Sequence, residues 1–291
     1  MSSYLTSSIF HPKTLSSAYG FFLILLLLLN PINSFAASPG ALDRTFGSGG
    51  IAASPVGAGT VLIQPDGKIV VAGYVGIHPA YDFALARFLP NGAPDTTFGN
   101  NGLVVTDMRI TPDEPTSDYI YDAALQADGK ILVAGVVSVI RSMPSPGPSS
   151  SYAVARYNPD GSLDATFDSD GKIISERQFY SAIGVAVQPD GKIVYTGNKF
   201  NCGDCGGERF VETFRVNADG SPDGGFGIGG KAVTRTQAGD LNATEMLLQP
   251  DGKILFAGWG NNGAQHGFTV VRLNPDGSPD ASFGSGGMVI R

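Results

Sequence analysis

Apolar residues in this chain fall in short runs separated by turn residues, and beyond the N-terminal leader they do not recur at helical spacing. Thr60-Val61-Leu62-Ile63 leads into Gln64-Pro65-Asp66-Gly67-Lys68, and Ile69-Val70-Val71-Ala72 follows before Gly73. β-Branched runs on both sides of an Asp-Gly pair predict a hairpin, because both residues tolerate the positive φ that suits strand twist. A third run, Asp82 to Phe88, ends at Pro90-Asn91-Gly92. Asp95-Thr96-Thr97-Phe98-Gly99 makes another turn, and Leu103-Val104-Val105-Thr106 is a fourth run. The unit reads as four short strands.

The unit recurs. Gln-Pro-Asp-Gly-Lys-Ile at 64–69 returns at 126–131 with Ala127 for the proline, at 188–193 and at 249–254. Its glycines, Gly67, Gly129, Gly191 and Gly252, are 62, 62 and 61 residues apart. The third run recurs at 152–157, 211–216 and 268–273, and an Asp-x-x-Phe turn starts at Asp43, Asp95, Asp164, Asp223 and Asp280. The longest interval between those turns contains a Pro/Ser/Gly tract, 142–151, which reads as an exposed loop. A fixed period of this size marks a repeat architecture. Four strands per unit without helices fit propeller blades better than a solenoid or a sandwich. The expected fold is all-β: a β-propeller or propeller-like arc of four four-stranded antiparallel blades, plus one extra N-terminal strand, Gly50-Ile51-Ala52-Ala53. That strand is surplus to a four-bladed ring, so open blade edges and self-association through them are expected alternatives to closure.

The repeated phrases resemble the delta-60 repeats of bacterial exported proteins and, more loosely, NHL repeats. Asn158-Pro159-Asp160-Gly161-Ser162-Leu163-Asp164 and Asn274-Pro275-Asp276-Gly277-Ser278-Pro279-Asp280 carry the pattern almost unchanged, whereas the third unit has Ala218 for the proline. The resemblance covers essentially residues 42–291. It implies a propeller and an exported location, and brings no catalytic residues with it. By analogy with NHL blades, the Asp-Gly hairpin supplies the two inner strands, and the strand after Phe-Gly is outermost.

Residues 1–36 read as a secretory signal: Lys13, an apolar stretch from Phe21 to Leu29, then Ser34 and Ala36. The apolar stretch is too short for a stable membrane span. Cleavage after Ala36 would leave one repeat domain, 37–291, with a formal net charge of −8 and no basic cluster, which argues against nucleic acid and anionic membranes. The expected location is secreted, periplasmic or cell-surface. Cys202 and Cys205, in a loop of the third unit, read most simply as a local disulfide in an oxidising compartment. Zinc would need further ligands, and His78 and His266 are the histidines left in the mature chain.

Candidate chemistry is sparse. Gly258-x-Gly260-x-x-Gly263 precedes a strand rather than a helix, so it is no dinucleotide site. Asp168-Ser169-Asp170-Gly171 and the Asn-Pro-Asp-Gly turns have the composition of calcium loops, but structural turns explain them without a metal. No cofactor is expected, with calcium the remaining possibility. Arg87, Arg156, Arg215 and Arg272 recur ahead of Asp95, Asp164, Asp223 and Asp280, and read as structural ion pairs rather than as an anion-binding ring. Variable loops follow each second strand. They offer Tyr74 in the first unit and Trp259, Asn261, Asn262 and His266 in the last, a set suited to sugar stacking and hydrogen bonding. Asp122 and Glu245 fall in first strands near the expected axis, and are read as separate acids rather than as a pair.

These features point to an exported, non-catalytic scaffold that binds an extracellular protein or carbohydrate through its loops. The alternative is a propeller enzyme, of lyase or lactone-hydrolase type, with a metal near the axis.

Overall fold

Each copy of the glutamine-led phrase closes a hairpin between the two inner strands of a sheet. The structure, a computed structural model, describes residues 40–109, 111, 113–140, 150–177, 179–201, 207–264 and 266–291. Residues 1–36, expected to be a secretory signal, and both cysteines lie outside the described residues. The first sheet holds β1 (Gly57–Ile63), β2 (Ile69–Ile77), β3 (Ala80–Phe88) and β4 (Leu103–Thr106). The second holds β5 (Thr116–Leu125), β6 (Ile131–Val139), β7 (Ser150–Tyr157) and β8 (Lys172–Ile174). The third holds β9 (Phe179–Val187), β10 (Ile193–Asn201), β11 (Glu208–Val216) and β12 (Lys231–Thr234). The fourth holds β13 (Asp240–Leu248), β14 (Ile254–Asn261), β15 (His266–Leu273) and β16 (Met288–Ile290). Strands pair in chain order, antiparallel, within every sheet. A single parallel bridge, Arg209 to Asp240, ties the third sheet to the fourth. The protein is an all-β propeller-type assembly of four four-stranded blades, and Arg44–Arg291 forms its compact unit.

The hairpin turn differs from the expected Asp-Gly pair in one respect. Gly67 alone takes the left-handed conformation (φ 80°), while Asp66 keeps negative φ and accepts the Lys68 N–H on its carboxylate at 3.2 Å. The Gly67 N–H returns to the Gln64 carbonyl at 2.8 Å. Aspartate therefore serves the turn through its side chain, and only the glycine must be free of a Cβ. Each innermost strand is also bulged, with register shifts at Ala58/Thr60, Ile120/Asp122 and Ala243/Glu245, and opposite Thr196/Gly197 in the third blade. An extra residue at this point bends and twists the inner strand.

Strand alternation sends one set of side chains toward the preceding blade and the other toward the following one. At the first junction Val70, Ala72, Phe83, Leu85 and Phe98 pack on Ile120, Ile131, Val133 and Tyr157. Leu132, Ala134, Val154 and Phe167 meet Val185, Ile193, Tyr195 and Val216 at the second. At the third, Val194, Val211 and Phe226 meet Met246, Ile254, Phe256, Val271 and Leu273. Inner strands neighbour one another in the order β1, β5, β9, β13.

Among the described residues no core cluster joins the fourth blade to the first. The outer faces show it. Phe268 is 61% exposed, although its counterparts Phe83, Tyr152 and Val211 are buried. Leu247 is 63% exposed, and at the other end Ile63 is 74% exposed. Part of the first blade's free face is covered by the segment before β1, whose Ala52 and Val56 pack with Ala84, Ala86 and Phe88. This surplus segment makes its own bridge, Ser48 to Ile51, matching the turns that precede β4, β12 and β16.

Phe167→Ala, at a filled junction, should cost about 3–5 kcal/mol in urea denaturation. Phe283→Ala, its half-buried counterpart at the free end, should cost about 1 kcal/mol or less. Equal costs would contradict an open fourth face.

Candidate functional site

The recurrent arginine stands near the end of each third strand, on the face turned to the next blade. Its Nε donates to the paired carboxylate at 2.8 Å for Arg87–Asp95 and 2.7 Å for Arg156–Asp164, Arg215–Asp223 and Arg272–Asp280. Each guanidinium also lies over the phenylalanine of the following turn, Phe98, Phe167, Phe226 or Phe283, with Cζ 4.4–4.8 Å from the ring centre. Three of the four reach across a junction: Nη1 of Arg87, Arg156 and Arg215 donates to the carbonyls of Pro159, Ala218 and Pro275 in the next blade. Arg272 makes no such bond among the described residues.

Around this arginine the other repeated residues take their places. Thr97 and Thr166 Oγ1 and Ser282 Oγ donate to the free oxygens of Asp95, Asp164 and Asp280 at 2.6–2.7 Å. The lysine of the turn phrase also points here: Lys68, Lys192 and Lys253 Nζ lie 3.4, 2.9 and 3.1 Å from Asp95, Asp223 and Asp280. The glycine of the Asn-Pro-Asp-Gly turn meets the preceding blade's phenylalanine, where a Cβ at Gly277 would fall 2.8 Å from the Phe226 ring. Backbone bonds complete the contact, with the N–H groups of Gly99, Asp168 and Gly227 donating to the carbonyls of Asp160, Asp219 and Asp276 at 2.8–2.9 Å.

Burial alone would raise the pKa of Asp95, but hydrogen bonds from Thr97 and the charges of Arg87 and Lys68 outweigh it and hold the carboxyl down to about 2. For Asp223 the Lys192 ammonium is the largest influence, opposed by burial and aided by the Gly225 N–H and Arg215, and the result is again about 2. The arginines and aspartates are thus held together as four separate clasps around the blades, and they do not converge on one site.

Asp122 and Glu245 depart from the expectation that they are unrelated. Each stands four residues before its glutamine and directly after the bulge, so they share one repeat position, which is Gly184 in the third blade. Asp122 is half-buried, and its Oδ2 accepts the Val185 N–H across the second junction at 2.9 Å. Burial raises its pKa, against the Val185 and Ala123 N–H groups, and the negative charge of Glu245 adds to the rise. Glu245 is exposed.

The loop-end candidates separate into two groups. Tyr74 packs edge-on against Tyr81 and Tyr119, with ring centres 5.0 Å apart in each case, and belongs to a three-tyrosine cluster at the first junction. At the other end, Trp259 is 37% exposed and lies beside His266, whose Nε2 accepts from Asn261 Nδ2 at 3.1 Å. Asn261 and Asn262 also shape the loop by accepting the N–H groups of Gly263 and Ala264. Arg209 of the third blade reaches this group, its guanidinium 5.5 Å from both the Trp259 and Phe200 ring centres and 3.6 Å from Asp240. Beside it a cleft of about 260 Å³ is lined by Ser150, Ser181, Asn198, Lys199, Phe200, Arg209 and Asn242. Asn198 fixes its wall by exchanging two 2.8 Å hydrogen bonds with the Ala243 backbone.

The segments that carry the clasp are also those that define a family. Residues 64–98, 126–167, 188–226 and 249–283 match a β-propeller domain of unknown function, DUF5122, and together make up about half of the chain. The chain belongs to the DUF5122 β-propeller family. Each matched stretch runs from the turn glutamine to the clasp phenylalanine. No curated protein matches this DUF5122 chain. Among solved structures it is similar to a PL25 ulvan lyase at 12% identity and a TM-score of 0.49, over 75% of this chain and 52% of the lyase. The polysaccharide lyase Uly1 aligns at 12% identity and a TM-score of 0.43, over 76% and 47% of the two chains. A Cellvibrio cellulosa α-L-arabinanase in complex with arabinohexaose aligns at 9% identity and a TM-score of 0.41, over 77% and 78%. The chain spans about half the length of the polysaccharide lyases it matches.

Arg156→Ala should lower stability by about 3–5 kcal/mol in urea, because it leaves Asp164 buried without its partner. Unchanged melting would contradict the clasp. The depressed carboxyls also set a pH dependence. Folded values near 2, against about 3.9 in the unfolded chain, give stability that is present above pH 4 and lost as pH falls from 4 toward 2. Thermal melts across pH 2–5 should show that loss, and a melting temperature flat over this range would contradict it.

Proposed function

We propose that this DUF5122 protein is an exported, non-catalytic scaffold that binds carbohydrate at the loop end of its third and fourth blades. The observation that carries the proposal is the Phe200–Arg209–Trp259 group beside its polar cleft. Aromatic faces stack on the apolar side of a sugar ring, while amides, hydroxyls and a guanidinium satisfy its hydroxyls. Trp259, His266 and Asn261 stand on the fourth blade, and Asn198, Lys199, Phe200 and Arg209 on the third, so a ligand here would span a rigid junction. The secretory leader and the resemblance to delta-60 repeats support export.

A scaffold role is supported by where the repeated polar residues go. The arginines, aspartates, lysines and turn glycines serve the blade junctions, and Asp122 binds a backbone N–H of the third blade. A propeller enzyme acting near the axis would have to draw on Asp122 and Glu245, of which the first is already engaged.

Trp259 is the chain's only tryptophan, so its fluorescence reports on the site directly. Purified mature protein should select oligosaccharides on a glycan array. Titration with a selected sugar should change Trp259 emission saturably, and Arg209→Ala should weaken binding at least tenfold at unchanged melting temperature. Sugar binding that leaves Trp259 emission and the Arg209→Ala affinity unchanged would remove the site. Release of unsaturated or shortened products from the bound polysaccharide would replace the scaffold with the enzyme.

A further inference from the structure

Three aspartates from three separate segments meet where the first two blades join. Asp82 lies in β3, Asp107 follows β4, and Asp118 lies in β5. One carboxylate oxygen from each is within 4.8 Å of the other two. Carboxylates this close repel one another unless a cation or a proton intervenes. Arg109 supplies charge from the solvent side, where its Nε and backbone N–H donate to Asp107 at 2.6 and 2.9 Å. Its hydrogen bonds go to Asp107, and the deeper carboxylates remain.

Asp118 gives a second, independent sign. Its side chain is fully buried, at 0% exposure. Oδ2 accepts from the Met108 N–H at 3.3 Å and from Thr116 Oγ1 at 3.2 Å, whereas Oδ1 is buried with no hydrogen-bond partner. A buried acceptor left without a donor is costly, and more so when it is charged. Its carboxylate is grouped with those of Asp82 and Asp107, whose oxygens cannot donate to it while ionised. A proton on one carboxyl relieves a single pair, whereas a metal ion would serve all three at once.

We propose that Asp82, Asp107 and Asp118 bind a calcium ion that fastens the first blade to the second. The donors are all carboxylate oxygens, the ligand type of hard cations, with no thiolate or imidazole among them. Calcium takes such oxygens at about 2.4 Å, so any two of its ligands lie no more than about 4.8 Å apart, and the three carboxylate oxygens fall within that limit. Magnesium demands near-ideal octahedral geometry and keeps several of its waters, whereas calcium accepts the irregular set of oxygens that three separate segments present. Two positive charges from calcium and one from Arg109 balance the three carboxylates. Asp107 is exposed, which leaves room for water to complete the shell. The ion would tie Asp82 of the first blade to Asp118 of the second beside the Tyr74–Tyr81–Tyr119 cluster, where Tyr81 and Tyr119 rings are 5.4 Å apart.

Those tyrosines supply the test. Chelator-treated mature protein is titrated with terbium chloride and excited through tyrosine, then back-titrated with calcium chloride. The expected result is saturable terbium emission, displaced by calcium, with a melting temperature that rises by several degrees in millimolar calcium. Asp118→Asn, which keeps shape and removes charge, should abolish the terbium signal. Asp107→Asn, at an exposed position, should weaken calcium affinity at least tenfold in a protein that melts as the wild type does without calcium. Terbium emission and calcium-dependent melting unaltered in both variants would overturn the site. Displacement by magnesium at the same concentration would overturn the assignment to calcium.

Discussion

The structure depends on one contact made three times, in which an arginine at the end of a third strand is shared between two blades. Its Nε holds the aspartate of its own blade, its face covers a phenylalanine, and its Nη1 reaches a turn carbonyl in the next blade. A single four-stranded sheet has two faces and cannot bury both by itself. The arginine converts the edge of that problem into a docking point: the guanidinium is always charged and planar, and it can serve a carboxylate and a carbonyl at once. Desolvation would make such a charge costly if it were left alone. Here the carboxylate, the turn carbonyl of the next blade and the hydroxyl of Thr97 or its counterpart accept from it, while the turn lysine pairs with the carboxylate.

Blades joined in this way leave a face without a neighbour on the first and on the fourth described blade, and those faces carry the exposed apolar surface. Phe268, Leu247 and Ile63 stand at junction positions but meet no neighbouring blade among the described residues. The segment before β1 mimics the close of a preceding blade. Its Gly47 N–H donates to the Asn91 carbonyl at 2.7 Å, the bond that Gly99, Asp168 and Gly227 make at the internal junctions. The fifth Asp-x-x-Phe turn of the sequence is therefore a cap on the first blade rather than the start of another. The proposed carbohydrate and calcium sites both sit where two blades meet, since a junction brings side chains from distant segments to fixed positions.

Much of the scaffold was legible in the sequence because repetition reveals it. Strand number, strand order and the Arg–Asp pairing follow from phrases that recur at one spacing. Three things were not legible, for physical reasons. The turn lysine looks like a solvated charge until the hairpin brings it to the aspartate on the far side of the same sheet. Asp122 and Glu245 both stand four residues before the turn glutamine, but the role of Asp122 shows only when the fold brings the Val185 N–H of the next blade to its carboxylate. Asp82, Asp107 and Asp118 have no motif at all. They come from a third strand, the end of a fourth and the start of the next blade's first, and their proximity is a product of the fold. Trp259 could be singled out as an exposed aromatic, but its partners Phe200 and Arg209 belong to another blade.

Hydrogen exchange of the native protein tests the shared junction most directly. The amides of Gly99, Asp168 and Gly227 donate across filled junctions and should exchange only with global unfolding. The amide of Gly284, at the same repeat position on the free end, has no such acceptor among the described residues and should exchange orders of magnitude faster. Comparable protection at all four positions would contradict an account in which the blades are stabilised chiefly by the neighbours they clasp.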